Sequence, residues 1–239
     1  MAVQSSPPVL GLLAHDLRWT IVGLLADSDL RTGELVTRTG QAPSLVSYHL
    51  GRLREAGLVS VRRSAADGRD SYHTLDLDAL GQAVAATTAQ VHPGLVAGVP
   101  VRDHGAPAQV LFICSGNSSR SPMAEGWVNH LGGGRVTARS AGVTPGPLHP
   151  LAAAAMAEHG VDISGHQPAH LSAFAGHSFG RVITLCDRAR EECGELSGAA
   201  AHWSIPNPAQ AHPPDIDAFL ATARELRTRV RYLLSAVSR

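Results

Sequence analysis

Apolar residues recur at helical spacing from Leu10 to Leu25, which predicts a first helix. A shorter helix is predicted over Thr32–Thr39, where Gly40 stops it. Gln41, Ala42 and Pro43 then make a tight connection into a helix over Ser44–Ala56, with Ser44 expected to cap it and Gly57 to end it. Val46, Leu50 and Leu53 share one face of that helix and leave Ser47, Tyr48 and Arg52 outward. Leu58–Arg63 and Ser71–Leu75 alternate as strands around Ala66, Asp67, Gly68 and Arg69, the pattern of a hairpin with a basic end. A helix over Leu77–Gln90 follows.

The stretch from Val91 to Ala108 holds three Pro and three Gly and almost no charge, so a linker over 93–108 is expected to separate a domain of residues 1–92 from one of 109–239. The second part opens with Gln109–Ile113, a short buried-strand run. The loop Cys114 to Ser121 comes next, and Pro122, Met123, Ala124 and Glu125 then start a helix. The chain is therefore expected to be α/β overall: a winged helix-turn-helix followed by a small doubly wound parallel sheet.

Composition fits two modest cores, with 44% apolar and 17% charged residues in 239. The 20 basic residues balance the 20 acidic ones and are all Arg, so net charge argues neither for nor against nucleic acid. Residues 41–75 carry a modest local excess, five Arg against three acids. Three cysteines, none before Cys114, exclude a disulfide-stapled scaffold, leave no Cys-x2-Cys pair for zinc, and fit a reducing cytoplasm. His73, Asp76, Asp78 and His92 match no ligand pattern, so ordinary polar roles are expected and neither metal nor cofactor is called for. The apolar stretch Val9–Ala26 is broken by His15, Asp16 and Arg18 and reads as neither signal peptide nor membrane span.

The chemistry lies in the order strand, loop, helix start. Gly116 and Asn117 tolerate positive φ, so the amides from Ser115 through Ser118 and Ser119 can converge on an anion. Pro122 suits a first helical turn, where its missing N–H is not needed. A Cys114 thiolate at that positive end is stabilised by the helix dipole and is a nucleophile. Arg120, six residues on, can fork two oxygens of a tetrahedral oxyanion. The ending is not the Gly-Lys-Ser/Thr of a nucleotide-binding loop.

Two resemblances sharpen this. The string PSLVSYHLGRLREAGLVSVRRSAADGRDSYH resembles the arsenical-resistance repressor (ArsR) family of dimeric bacterial repressors, over roughly residues 10–90. The resemblance implies an operator-binding homodimer. Ser44, Ser47, Tyr48 and Arg52 would face the groove, and Arg62, Arg63 and Arg69 the phosphates. The paired cysteines with which many of that family sense metalloids are absent, since Glu34–Gly40 reads ELVTRTG.

The motif CSGNSSRSPMAE resembles the low-molecular-weight protein tyrosine phosphatases and the thioredoxin-coupled arsenate reductases. The likeness continues in RSAGV (139–143), GVDISG (160–165), VITLC (182–186) and HWSIPNPA (202–209). It implies an arsenate- or phosphate-type oxyanion substrate, Ser121 steadying the Cys114 sulfur, and an active site at the end of the first strand. Reductases of this fold use three cysteines. Here Cys114, Cys186 and Cys193 are present, the last pair with the reductase spacing of six intervening residues, which implies a relay serviced by thioredoxin or another thiol reductant. Seven helical steps set that pair roughly 10 Å apart, beyond the roughly 7 Å a disulfide bridges, so the segment has to unwind. One departure stands out: Asn207 occupies the place where both relatives carry the Asp that protonates the leaving oxygen. Three readings follow, namely an arsenate reductase, a phosphatase, and an oxyanion sensor that has lost catalysis.

Overall fold

The computed structural model describes residues 7–66, 68, 70–92, 108–193, 200–210 and 214–237. The chain divides into two compact units, Met1–Pro100 and Val101–Arg239.

In the first unit, the helix expected over Leu10–Leu25 is two helices, α1 (Pro8–Leu13) and α2 (Asp16–Asp27). Extended backbone at His15 breaks the run, and its Nδ1 accepts from the Leu17 N–H at 3.2 Å, capping α2. The apolar period continues across the break, which is why spacing alone misses it. A two-residue strand, β1 (Leu30–Arg31), precedes α3 (Thr32–Thr39), which ends at Gly40 with φ 65°. The next helix, α4 (Pro43–Glu55), starts one residue earlier than expected: Ala42 is its N-cap, Pro43 fills the first turn, and Ser44 makes no side-chain cap. Gly57, just past its end, takes φ 73°.

Strands β2 (Val59–Arg63) and β3 (Ser71–Leu75) form the expected antiparallel hairpin, and β1 adds to the free edge of β3. Arg31 ties this hairpin to α3 by pairing with Asp70 at 2.6 Å and by lying over the Tyr72 ring. The core of the unit joins Ile21 and Leu25 of α2, Leu30, Leu35 of α3, and Val46, Leu50 and Leu53 of α4. Asp76 caps α5 (Leu77–Val91) by accepting from Ala79 N–H at 2.8 Å. His73 is buried with its Nε2 2.9 Å from Thr32 Oγ1; burial, helped by the charge of Arg54, pushes its imidazole below the ordinary value of 6.5.

The second unit contains a four-stranded parallel sheet in the order β5 (Val136–Gly142), β4 (Ala108–Cys114), β6 (Arg181–Thr184), β7 (Ala200–His202). Helices α6 (Arg120–Leu131), α7 (Pro150–Ala157) and α9 (Ile216–Val237) pack on one another, and α8 (Asp187–Cys193) packs against β4 and β6. The buried Trp127 of α6 donates its indole N–H to Ala223 O of α9 at 3.0 Å. From β4 the chain moves to β5 on one side and then to β6 on the other. Such a reversal marks the carboxyl end of β4 as the place where open α/β sheets hold their ligands. Among the described residues, no helix is long and apolar enough to cross a membrane.

Candidate active site and nucleic-acid surface

Cys114 is the last residue of β4 and is buried, so the sheet delivers its sulfur to the carboxyl end of the strand. The loop after it turns its carbonyls away. Cys114 O accepts from Val143 N–H at 3.3 Å, Ser115 O from Thr144 at 2.8 Å, Gly116 O from Gly146 at 2.9 Å and Ser118 O from His149 at 2.8 Å. In a planar trans peptide the N–H points opposite to the C=O. Sending four carbonyls to the 143–149 segment therefore directs the amides of Ser115, Gly116, Asn117 and Ser119 the other way.

Asn117 makes the turn possible. It is the one non-glycine residue with positive φ, 46°, among the described residues, and it is fully buried. Its side chain secures that conformation: Nδ2 donates to Ser121 Oγ at 3.0 Å and Ser140 Oγ at 2.8 Å, while Oδ1 accepts from Ala169 N–H at 2.8 Å and lies 3.2 Å from His166 Nε2. Ser140 donates to Glu125 at 2.6 Å, and Ser121 Oγ lies 3.0 Å from the Cys114 sulfur. A continuous polar chain thus runs from Glu125 to the thiol. Burial pushes the His166 imidazole below its ordinary 6.5, although Glu125 and Asn117 pull the other way.

Gly142 lies against this turn; a Cβ there would come within 2.9 Å of the Asn117 amide nitrogen and 3.0 Å of the Ser115 carbonyl oxygen, both backbone atoms. Gly142→Ala is accordingly expected to cost about 1–3 kcal/mol, the range for overpacking, and to weaken oxyanion binding as the loop gives way. Chemical denaturation and phosphate titration of the variant check this, and a variant matching wild type in both contradicts the packing argument.

Arg120, the first residue of α6, is buried with its fork partly committed: one terminal nitrogen donates to Ile205 O at 3.0 Å, and Nε has no partner among the described residues. That bond draws the 204–208 loop to the cradle. Asn207 on this loop is half-buried, and its Oδ1 accepts from Ala209 N–H at 3.2 Å, closing the turn Pro208–Gln210. Asp215 and Asp217 lie at the start of α9, where Asp215 Oδ1 accepts from Asp217 N–H.

The second cysteine comes to the same place. Cys186 is buried, and its sulfur lies 3.2 Å from the Ser115 hydroxyl and 3.4 Å from the Ala189 amide at the start of α8. Cys193 ends that helix, half-buried, and its thiol is pushed above the ordinary 9.0 by burial first and by Cys186 and Glu192 next. All three cysteines are free thiols.

On α4 of the first unit, Ser44, Ser47, Tyr48 and Arg52 lie on the exposed face, with Tyr48 60% exposed. Arg52 pairs with Glu55 at 2.9 Å. His49, expected on neither face, joins the buried side, 4.2 Å from the His15 ring. Arg63 is exposed on β2 and Arg62 half-buried; Arg69 lies outside the described residues. Sequence reasoning gave no role to Ser140, Glu125, His166, Asp187, His202 or Ser204. Most of them lie within or beside the motif strings, but their contacts join segments far apart in the chain.

A strand-end thiol, a loop with inward amides and an arginine at the following helix start define a thiol-centred α/β domain. Residues 109–239, more than half of the chain, match the family described as "Low molecular weight phosphotyrosine protein phosphatase", and the chain belongs to that family. Residues 15–61 match the "Bacterial regulatory protein, arsR family", so the chain is a fusion of the two. It is 33% identical over 134 residues to a glutaredoxin arsenate reductase of Synechocystis sp., covering 54% of this chain and 98% of that protein. It is 38% identical over 102 residues to arsenate reductase 2 of Staphylococcus epidermidis, covering 42% and 78%. A solved arsenate reductase in the phosphate binding state shares 29% identity with a TM-score of 0.47, covering 54% of this chain and 98% of that one.

Proposed function

We propose that the chain is a cytoplasmic arsenate reductase carrying its own DNA-binding domain, the domains being residues 1–92 and 109–239 with 93–108 as linker. The observation that carries the reading is the placement of the second thiol: the Cys186 sulfur sits on the hydroxyl of Ser115, the residue next to Cys114. A phosphatase needs only the first thiol, because water can hydrolyse a phosphocysteine.

In the proposed cycle the Cys114 thiolate attacks arsenate and displaces a hydroxyl as water, forming an S–As(V) bond. The amides of residues 115–119 and the Arg120 fork hold the remaining oxygens. The Cys186 thiolate then attacks the Cys114 sulfur. A disulfide forms, the S–As electron pair passes to arsenic, and arsenite leaves as As(III). Cys193 attacks Cys186 in turn, freeing Cys114, and thioredoxin or another dithiol reduces the Cys186–Cys193 disulfide. Two readings compete: ester hydrolysis at the same cradle, and oxyanion sensing without turnover, the latter favoured by Asn207. Arsenate-dependent oxidation of a thioredoxin system, para-nitrophenyl phosphate hydrolysis, and oxyanion-dependent release of DNA separate the three.

The first domain is proposed to bind operator DNA as a homodimer. α5 buries only Thr87 and exposes Val84 and Val91, a surface suited to a second copy. Tyr48→Ala and Arg52→Ala are each expected to weaken binding to a duplex selected from a random pool by about tenfold, within the range for a base contact. Arg63→Ala is expected to weaken it across sequences and to reduce the salt slope by about one. Binding indifferent to Tyr48 and Arg52 would falsify the placement of α4 in the groove.

A further inference from the structure

Asp187 opens α8 directly after Cys186, yet it is only 1% exposed. Its Oδ1 accepts from Ser204 Oγ at 2.5 Å and lies 3.1 Å from Nε2 of the buried His202 at the end of β7. The other ring nitrogen, Nδ1, is 2.8 Å from the Thr184 hydroxyl and 3.1 Å from the Thr184 carbonyl at the end of β6. The carboxylate is thus clasped by the end of β7 and the segment just past it, and His202 is held in turn by the end of β6. Ser204 also adjoins Ile205, whose carbonyl receives Arg120.

Arg188 pairs with Glu192 at 2.6 Å along the exposed side of α8, and exposed pairs of this kind add little. Cys193 itself is half-buried. Seven helical rises separate Cys186 from Cys193 by roughly 10 Å, while a disulfide needs Cα atoms within roughly 7 Å. One end has to leave the helix for Cys193 to reach Cys186, and withdrawing Asp187 would break its hydrogen bonds to the buried His202 and Ser204.

We propose that Asp187 is a positioning residue that pins the Cys186 end of α8 through its clasp with His202 and Ser204. Uncoiling is thereby confined to the Cys193 end, which brings the resolving thiol to a stationary Cys186. In that step the Cys193 thiol loses its proton to solvent and its sulfur attacks Cys186. The new S–S bond forms as the Cys114–Cys186 bond breaks, and Cys114 departs with the electron pair as thiolate. This deepens the relay reading and rests on it for the catalytic consequence.

Two measurements on the full-length reduced chain test it. Timed alkylation with iodoacetamide, read by mass spectrometry, is expected to show Cys186 reacting more slowly than Cys193 in wild type. In Asp187→Ala, Cys186 is expected to react about tenfold faster, the scale of losing a charged hydrogen bond. Asp187→Asn keeps an acceptor for Ser204 but not the charge and is expected to fall between wild type and Asp187→Ala; a partial rescue of that kind is not what a simple loss of folding gives. Where Asp187→Ala does not fold, Ser204→Ala supplies the same readout, shifted in the same direction by less. Single turnover with arsenate is expected to form the Cys114–Cys186 disulfide about tenfold more slowly in Asp187→Ala, with unchanged half-saturation by arsenate. Cys186 alkylation unaltered in both the Ala and Ser204 variants overturns the pin. Failure of wild type to make arsenite while the alkylation contrast holds leaves the pin standing and removes the relay instead.

Discussion

Serine in place of Cys114 is expected to abolish arsenite formation and any ester hydrolysis together, a loss on the order of 10⁴-fold or more, the scale for deleting a covalent nucleophile. The hydroxyl would keep the 3.0 Å contact with Ser121 but cannot ionise in its place. The other two thiols divide the work. With Cys186→Ser the arsenic adduct on Cys114 has no thiol to displace it, so no arsenite is released. With Cys193→Ser one arsenite per chain is expected before the Cys114–Cys186 disulfide accumulates. Ester hydrolysis, which engages only Cys114, is expected to survive both substitutions. Arsenite counted per chain in a rapid-quench experiment, beside para-nitrophenyl phosphate turnover, gives the answer. Equal loss of both activities in Cys186→Ser would remove the case for a relay.

Asn207→Asp is expected to raise phosphate-ester hydrolysis by at least about tenfold, a conservative part of the 10²- to 10⁴-fold range for general acid catalysis. The loop bearing Asn207 is tied to the cradle through Arg120 and Ile205. An amide there can donate a hydrogen bond to a leaving oxygen but cannot give up a proton to it. Arsenate reduction is expected to rise less, because arsenate sheds only a hydroxyl that its own protons help to expel. If the variant gains nothing while wild type already hydrolyses esters briskly, another residue is the acid. If neither protein turns over either substrate although both bind phosphate, the sensor reading takes precedence.

What the sequence discloses follows from the range over which its signals act. The strand from Gln109, the helix at Arg120 and the groove-facing set on α4 are written in neighbouring residues, where the apolar period, Gly and Pro speak directly. β1, two residues long, carries no period and exists only because β3 offers it an edge. Ser44 looks like a cap by type, yet Pro43 already satisfies the first turn and leaves Ser44 exposed. The polar chain behind Cys114 and the clasp on Asp187 are long-range events. Asn117 meets Ala169 across 52 positions and Asp187 meets His202 across 15. Such contacts are set by the crossover from β5 past β4 to β6, which no local pattern encodes.

The unpartnered Nε of Arg120 has a thermodynamic corollary. A buried donor without an acceptor destabilises the chain that contains it, by about 1–3 kcal/mol for a typical group. A tetrahedral oxyanion bound at that guanidinium supplies the acceptor, so ligand binding and fold stability draw on the same interaction. Phosphate or arsenate bound there is therefore expected to raise the melting temperature of the second unit as its concentration exceeds the Kd.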